Sequence, residues 1–153
     1  MYKEEYMHEA LKLAKRAYLI GEVPVGAVIV KDNRIIARSY NRRETDKNAL
    51  LHAETDAVYK ACEALNSWRL CDCDLYVTLE PCAMCAGAIV NARICNVYFG
   101  AYDNVAGCCG SVVNLLELKG NYRPKYFGGL LEDECSRLLS EFFKNKRNRQ
   151  LTK

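Results

Sequence analysis

The sequence predicts a three-layer α/β fold, with a mixed sheet between helices packed against its faces. Three observations predict it: an amphipathic helical pattern opens the chain, a hairpin pattern follows, and strand and helix patterns then alternate up to a closing amphipathic helix. With 153 residues, half of them hydrophobic, the chain can build its own core, so residues 1–153 are expected to form a single domain.

Over residues 2–20, Met7, Ala10, Leu11, Ala14, Ala17 and Tyr18 recur at helical spacing. Lys3, Glu4, Lys12, Lys15 and Arg16 fall on the other face, and Gly21 ends the helix. Val25 to Val30 is an apolar run, Asp32-Asn33 a turn pair, and Arg34 to Tyr40 a second strand. Residues 52–65 read as a helix. Leu75 to Leu79 is rich in β-formers and stops at Pro81, after which Ala83 to Ala92 reads as a helix with proline near its first turn. Val97-Tyr98-Phe99 is a strand closed by Gly100. A loop through Gly107 and Gly110 leads to a short helix at 111–117, and Tyr126-Phe127 marks a last short strand. Leu131, Cys135, Leu138, Leu139 and Phe142 share one face of the final helix. There is no internal repeat and no linker.

A formal charge of +3 is too small to name a nucleic-acid partner. No run approaches the roughly 18 apolar residues of a membrane span, and Met1-Tyr2-Lys3-Glu4-Glu5 lacks the apolar core of a signal peptide. The expectation is a cytoplasmic protein, without a membrane partner, whose cysteines are reduced. Nine cysteines, an odd number, do not suggest a bridge framework. In a reducing compartment, clustered cysteines point to metal or catalysis, and the rest serve as small core hydrophobes.

Two short motifs carry the chemistry: His52-Ala53-Glu54 and Pro81-Cys82-Ala83-Met84-Cys85. Cysteines at i and i+3 share one helix face, and in a first turn the helix dipole favours the thiolate. Zinc takes Cys and His ligands tetrahedrally; a structural site has four, whereas a catalytic site keeps three and leaves one position open. The chain has only two histidines, and His8 falls on the polar face of the first helix. The ligand set is therefore His52, Cys82 and Cys85, with Cys71 and Cys73 as rivals. Those two, at i and i+2 on one strand, would lie at its far end from Cys82. Positions i and i+2 of a helix diverge, so His52 and Glu54 can address one ion only if His52 stands at the helix start. Glu54 is then free to act as a base. His-x-Glu followed by Pro-Cys-x-x-Cys is the general signature of zinc-dependent nucleobase deaminases, and the chain matches it.

Beyond the motifs, the chain resembles the bacterial tRNA-specific adenosine deaminases of the cytidine and deoxycytidylate deaminase superfamily. The likeness runs through Glu22 to Val28, Asn41, Leu75 to Ala88, Phe99-Gly100-Ala101 with Asp103, Gly110-Ser111, Asn114-Leu115-Leu116 and Phe142-Phe143 before a basic tail. The resemblance implies a five-stranded cytidine-deaminase-like sheet, a homodimer and one Zn2+ per chain. It also implies an anticodon stem-loop partner, whose wobble adenosine is converted to inosine. Asn41 then matches the residue that holds the target base, Asp103 one facing the sugar and backbone, and Glu54 the proton shuttle. Departures lie at Leu50-Leu51, where the family often has Thr-Ala or Ile-Ala; at Val105, where it commonly has lysine; at Tyr122, where histidine usually follows the asparagine; and at Cys108-Cys109.

Other readings stay open on the residues alone. Asn41 suits the turn that ends a hairpin, and Asp103 suits a loop. Phe142 and Phe143 serve as core and interface or as a stacking platform for substrate. Lys144, Lys146, Arg147, Arg149 and Lys153 put five positive charges in the last ten residues, fit for a solvated helix end or a phosphate backbone. The alternative functions are a deaminase of a free base or nucleoside (guanine, cytosine or cytidine) and a non-catalytic zinc-stabilised binding subunit.

Overall fold

The computed structural model describes residues 1–152; Lys153, the last cation of the basic run, lies outside the described residues. The elements in order are α1 (Glu4–Leu19), β1 (Gly26–Lys31), β2 (Arg34–Tyr40), α2 (Ala53–Leu65), β3 (Cys73–Leu79), α3 (Ala83–Ala92), β4 (Asn96–Ala101), a 3-10 turn (Leu115–Glu117), β5 (Lys125–Phe127) and α4 (Glu132–Leu151). The five strands form one mixed sheet in the order β2-β1-β3-β4-β5, the five-stranded sheet that the resemblance implied. β1 pairs antiparallel with β2 and β3, while β3–β4 and β4–β5 are parallel.

Alternation along the strands divides the core. Ala27, Ile29, Leu75, Val77, Val97 and Phe99 face α2 and α3, whereas Val28, Val30, Tyr76 and Tyr98 face α1 and α4. The hairpin turns at Asp32 and Asn33, both with positive φ (49° and 58°), as a type I′ turn requires. α2 and α3 each end on a left-handed residue, Asn66 and Arg93, whose N–H groups bond carbonyls of the last turn.

Four expectations change. Gly100 does not close β4, which continues to Ala101. A Cβ at Gly100 would fall 2.9 Å from Cys135 Cβ, so glycine here admits α4 against the strand. The 111–117 helix shrinks to Leu115–Glu117, because Cys109 and Asn114 form an isolated bridge and the Asn114 side chain caps the turn. β3 starts at Cys73, and exposed Cys71 lies before it, so the two do not share a strand face. Leu131 stands outside α4 as its N-cap, with φ 53°. Among the described residues, no helix is long and apolar enough to cross a membrane.

Candidate active site

Three chain segments converge where the parallel strands β3 and β4 end, the usual position of a ligand crevice in an α/β sheet. α2 begins at His52 and α3 at Cys82, each an extended N-cap residue (φ −76°, ψ 156° and φ −73°, ψ 178°). With non-helical backbone, His52 escapes the divergence that i and i+2 would have within a helix, and its ring turns toward α3. Its Nδ1 lies 3.6 Å from Cys82 Sγ and 3.5 Å from Cys85 Sγ.

These distances fit a metal. Zinc bonds of about 2.3 Å to sulfur and about 2.0–2.1 Å to nitrogen, set at a tetrahedral angle, separate N from S by about 3.6 Å. His52, Cys82 and Cys85 could hold an ion, their ligand atoms all lying within 4.8 Å of one another. Among the described residues, no fourth His, Cys, Asp or Glu joins the group, and Cys71 and Cys73 stay out of it. Cys85 is buried and His52 and Cys82 are half-buried.

The local electrostatics suit that donor set. The hydrogen bond with Cys85 outweighs burial and, with that to His52, holds the Cys82 thiol down to about 4. The same bond to Cys82, together with burial, pushes Cys85 upward. One sulfur is therefore a thiolate at neutral pH, the form that ligates metals. The bond to Cys82 raises His52 against the opposing effect of burial, and the Glu54 charge adds to the rise. Glu54, 4% exposed, is pushed up to about 7, mainly by burial, with the Cys82 thiolate adding to it.

A pocket of about 190 Å³ opens over this cluster and is lined by His52, Glu54 and Cys82 together with Asn41, Asp103 and Phe142. Asn41 bridges two walls: its Oδ1 accepts from Ala53 N at 2.8 Å and its Nδ2 donates to Val23 O at 3.1 Å. It thus caps the first amide of α2, where His52 offers no side-chain cap. Asp103 Oδ1 accepts from Val105 N and Ala106 N at 2.9 and 3.0 Å, so the residue also turns its own loop. Phe142 is buried and meets Tyr18 edge-on, with ring centroids 5.6 Å apart. Phe143 is exposed and lies outside the lining of this pocket. Of the basic run, Lys146 reaches the pocket, and Arg149 lines an adjoining groove with Lys146, Phe142 and Tyr18.

Sequence reasoning assigned no role to three buried carboxylates. Glu22 accepts from Thr45 N and Oγ1 at 2.7 and 2.9 Å, tying the segment after α1 to the loop beyond Asn41. Asp56 accepts from Ser39 Oγ (2.5 Å) and Lys60 Nζ (2.7 Å), tying the end of β2 to α2. Glu80 takes four hydrogen bonds from the loop after β4. The only signal was a charge inside or beside an apolar run, which does not say what the charge binds.

A sequence model of the MafB19-like deaminase family matches residues 1–147, and with the sheet order and the His-Cys-Cys cluster this defines a deaminase of the cytidine-deaminase-like class. The tRNA-specific adenosine deaminase of Bacillus subtilis (strain 168) is 49% identical over 148 residues, covering 96% of this chain and 92% of that one. The chain belongs to the family of the tRNA-specific adenosine deaminases. A solved structure from work on A-to-I editing by tRNA:A34 deaminases superposes with a TM-score of 0.87 at 43% identity, covering 90% of this chain and all of that one. Guanine deaminase from Bacillus subtilis superposes with a TM-score of 0.63 at 42% identity, covering 67% and 66% of the two chains.

Proposed function

We propose that the chain is a single-domain, zinc-dependent hydrolase that converts the wobble adenosine of a tRNA anticodon to inosine. The observation that carries the reading is one imidazole nitrogen 3.5–3.6 Å from two cysteine sulfurs, beside a buried carboxyl, under a pocket. His52, Cys82 and Cys85 are the residues to hold one zinc ion per chain. Zinc held there supplies Lewis acidity and makes water nucleophilic near neutral pH.

Glu54 does the proton work. Burial raises its carboxyl above the ordinary carboxylate range, which suits a group that must both take and return a proton. It takes a proton from the attacking water and passes it to N1 of adenine as the hydroxyl oxygen adds to C6; it then carries the proton of the new C6 hydroxyl to the amine, the C6–N bond breaks, and ammonia leaves. Water is consumed and inosine is formed. The second amide proton of Asn41 and the remaining oxygen of Asp103 are available to the flipped nucleotide. Phe142 walls the pocket, and Phe143, farther out on α4, serves the flanking bases. A base must leave its stack to enter, which favours a strained single-stranded loop. The expected partners are the anticodon stem-loop and a second copy of the chain, the latter suited to the groove where exposed Trp68 and Leu118 flank Gly87.

The test offers purified protein anticodon stem-loops with adenosine at the wobble position, and separately adenosine, cytidine and guanine, scoring inosine and ammonia. Inosine in the stem-loop is the expected result. Turnover of guanine or cytidine alone would assign the site to a free base or nucleoside. Glu54→Ala should retain zinc and lose roughly 10²–10⁴-fold in rate.

A further inference from the structure

We infer that Glu80 is a positioning residue that sets the substrate-facing loop 103–111 against the pocket, an inference that rests on the RNA-editing reading above. Glu80 is 2% exposed and stands between the end of β3 and Cys82. Among the described residues it has no ion-pair partner. It is instead met by four donors of one loop. Its Oε2 accepts from Asp103 N (2.9 Å) and Ser111 Oγ (2.5 Å), and its Oε1 from Cys109 N (3.1 Å) and Ser111 N (3.0 Å).

That count engages both oxygens of the carboxyl group, which a side-chain amide, with a single acceptor oxygen, cannot reproduce. The loop closes tightly around the group: a Cβ at Gly107 would fall 2.5 Å from Glu80 Oε2. The backbone adds to the clamp, since Cys108 N donates to Pro81 O at 2.8 Å and Glu80 N to Ala101 O at 2.8 Å. The bonded loop carries Asp103, which lines the pocket beside His52 and Glu54. Glu80, itself part of the pocket lining, thus ties the wall that receives the nucleotide to the segment that carries Cys82, with both of its oxygens engaged by the loop.

A glutamine at this site can keep the two amide bonds at one oxygen, but its NH2 then faces the Asp103 N–H, donor against donor. The effect should fall on the placement of Asp103, and so on binding of extended RNA before chemistry. The test compares zinc-loaded wild type, Glu80→Gln and Ser111→Ala on a wobble-adenosine stem-loop, with amide hydrogen exchange measured in parallel. Losing one bond to a charged acceptor corresponds to about tenfold or more, so Glu80→Gln should raise KM about tenfold with kcat within about twofold, and speed exchange at the Asp103 amide about tenfold. Ser111→Ala, which removes one donor and leaves the carboxylate in place, should shift KM in the same direction by less. Variants that lose only melting temperature, with KM per zinc-loaded molecule and Asp103 exchange unchanged, would overturn the inference. If wild type itself does not edit the stem-loop, the functional reading falls, and Asp103 exchange alone still decides whether Glu80 holds the loop.

Discussion

At position 52 the backbone is extended while position 53 is already helical, and this one-residue offset lets an imidazole and a carboxylate two residues apart serve the same place. Glu54 stays inside the helix and is buried there, which costs its charged form hydration and raises its pKa. For metal-free protein the sign follows. A carboxyl whose folded pKa is raised contributes stability below its unfolded value, and that contribution is lost as pH climbs from 4.5 toward about 7. Glu54→Gln should flatten this part of the apoprotein's stability profile, measured by urea denaturation across that range; an unchanged slope would count against a buried Glu54. Asp56 behaves in the opposite sense. Burial raises it, but the hydrogen bonds from Lys60 and Ser39 and the nearby Arg42 charge outweigh burial and hold it below its ordinary value. Its contribution is present at neutral pH and is lost as pH falls below the ordinary carboxylate range. Asp56→Asn should cost about 1.5–3 kcal/mol at pH 7, and much less near pH 3, by denaturant titration.

Close approach between elements governs the next scale. Gly26 opens β1 directly beneath α1, and a Cβ there would lie 2.6 Å from Ala14 N, a backbone atom with no room to yield. Its N–H donates to Thr78 Oγ1, so β1, β3 and α1 meet at one point. Gly26→Ala should therefore destabilise by about 1–3 kcal/mol through overpacking, read as a lowered urea midpoint with an unchanged m-value. Elements of this kind were legible where a single period ran long enough. The apolar run of β1, the β-rich run of β3 and the helical spacing of α1 all stand as their residues indicate, and His-x-Glu with Pro-Cys-x-x-Cys pointed, residue for residue, to the cluster that could hold a metal. Gly100 misled because a glycine inside a strand and a glycine after one look alike until α4 is placed against it. Glu22, Asp56 and Glu80 escaped because each binds a residue 17 to 31 positions away in sequence, Asp56 in addition to Lys60 on its own helix, across segments whose course no periodicity records.

The whole molecule places its net charge unevenly. The last ten residues carry five cations, and the remaining 143 about two negative charges, so attraction to a phosphate backbone is local, and α4 brings Lys146 to the pocket and Arg149 to the groove beside it. Each phosphate that a tail cation neutralises adds about 0.7 to the salt slope of single-stranded RNA binding. Removing residues 144–153 should accordingly weaken stem-loop binding and flatten its dependence on salt, measured by fluorescence anisotropy at several salt concentrations. Turnover of a free nucleoside, if any, should be indifferent. The fold itself supplies the other half of the arrangement, because sheet order β2-β1-β3-β4-β5 brings the start of α2 beside the start of α3 and the loop after β4 around both. All of this depends on three protein ligands and one open position at the metal. Zinc K-edge X-ray absorption on freshly purified protein, with metal content measured alongside, tests that most directly. The account predicts one zinc per chain with two sulfur neighbours at about 2.3 Å and two lighter ones at about 2.0–2.1 Å. A third sulfur in the coordination shell, or protein that binds no zinc, would contradict it.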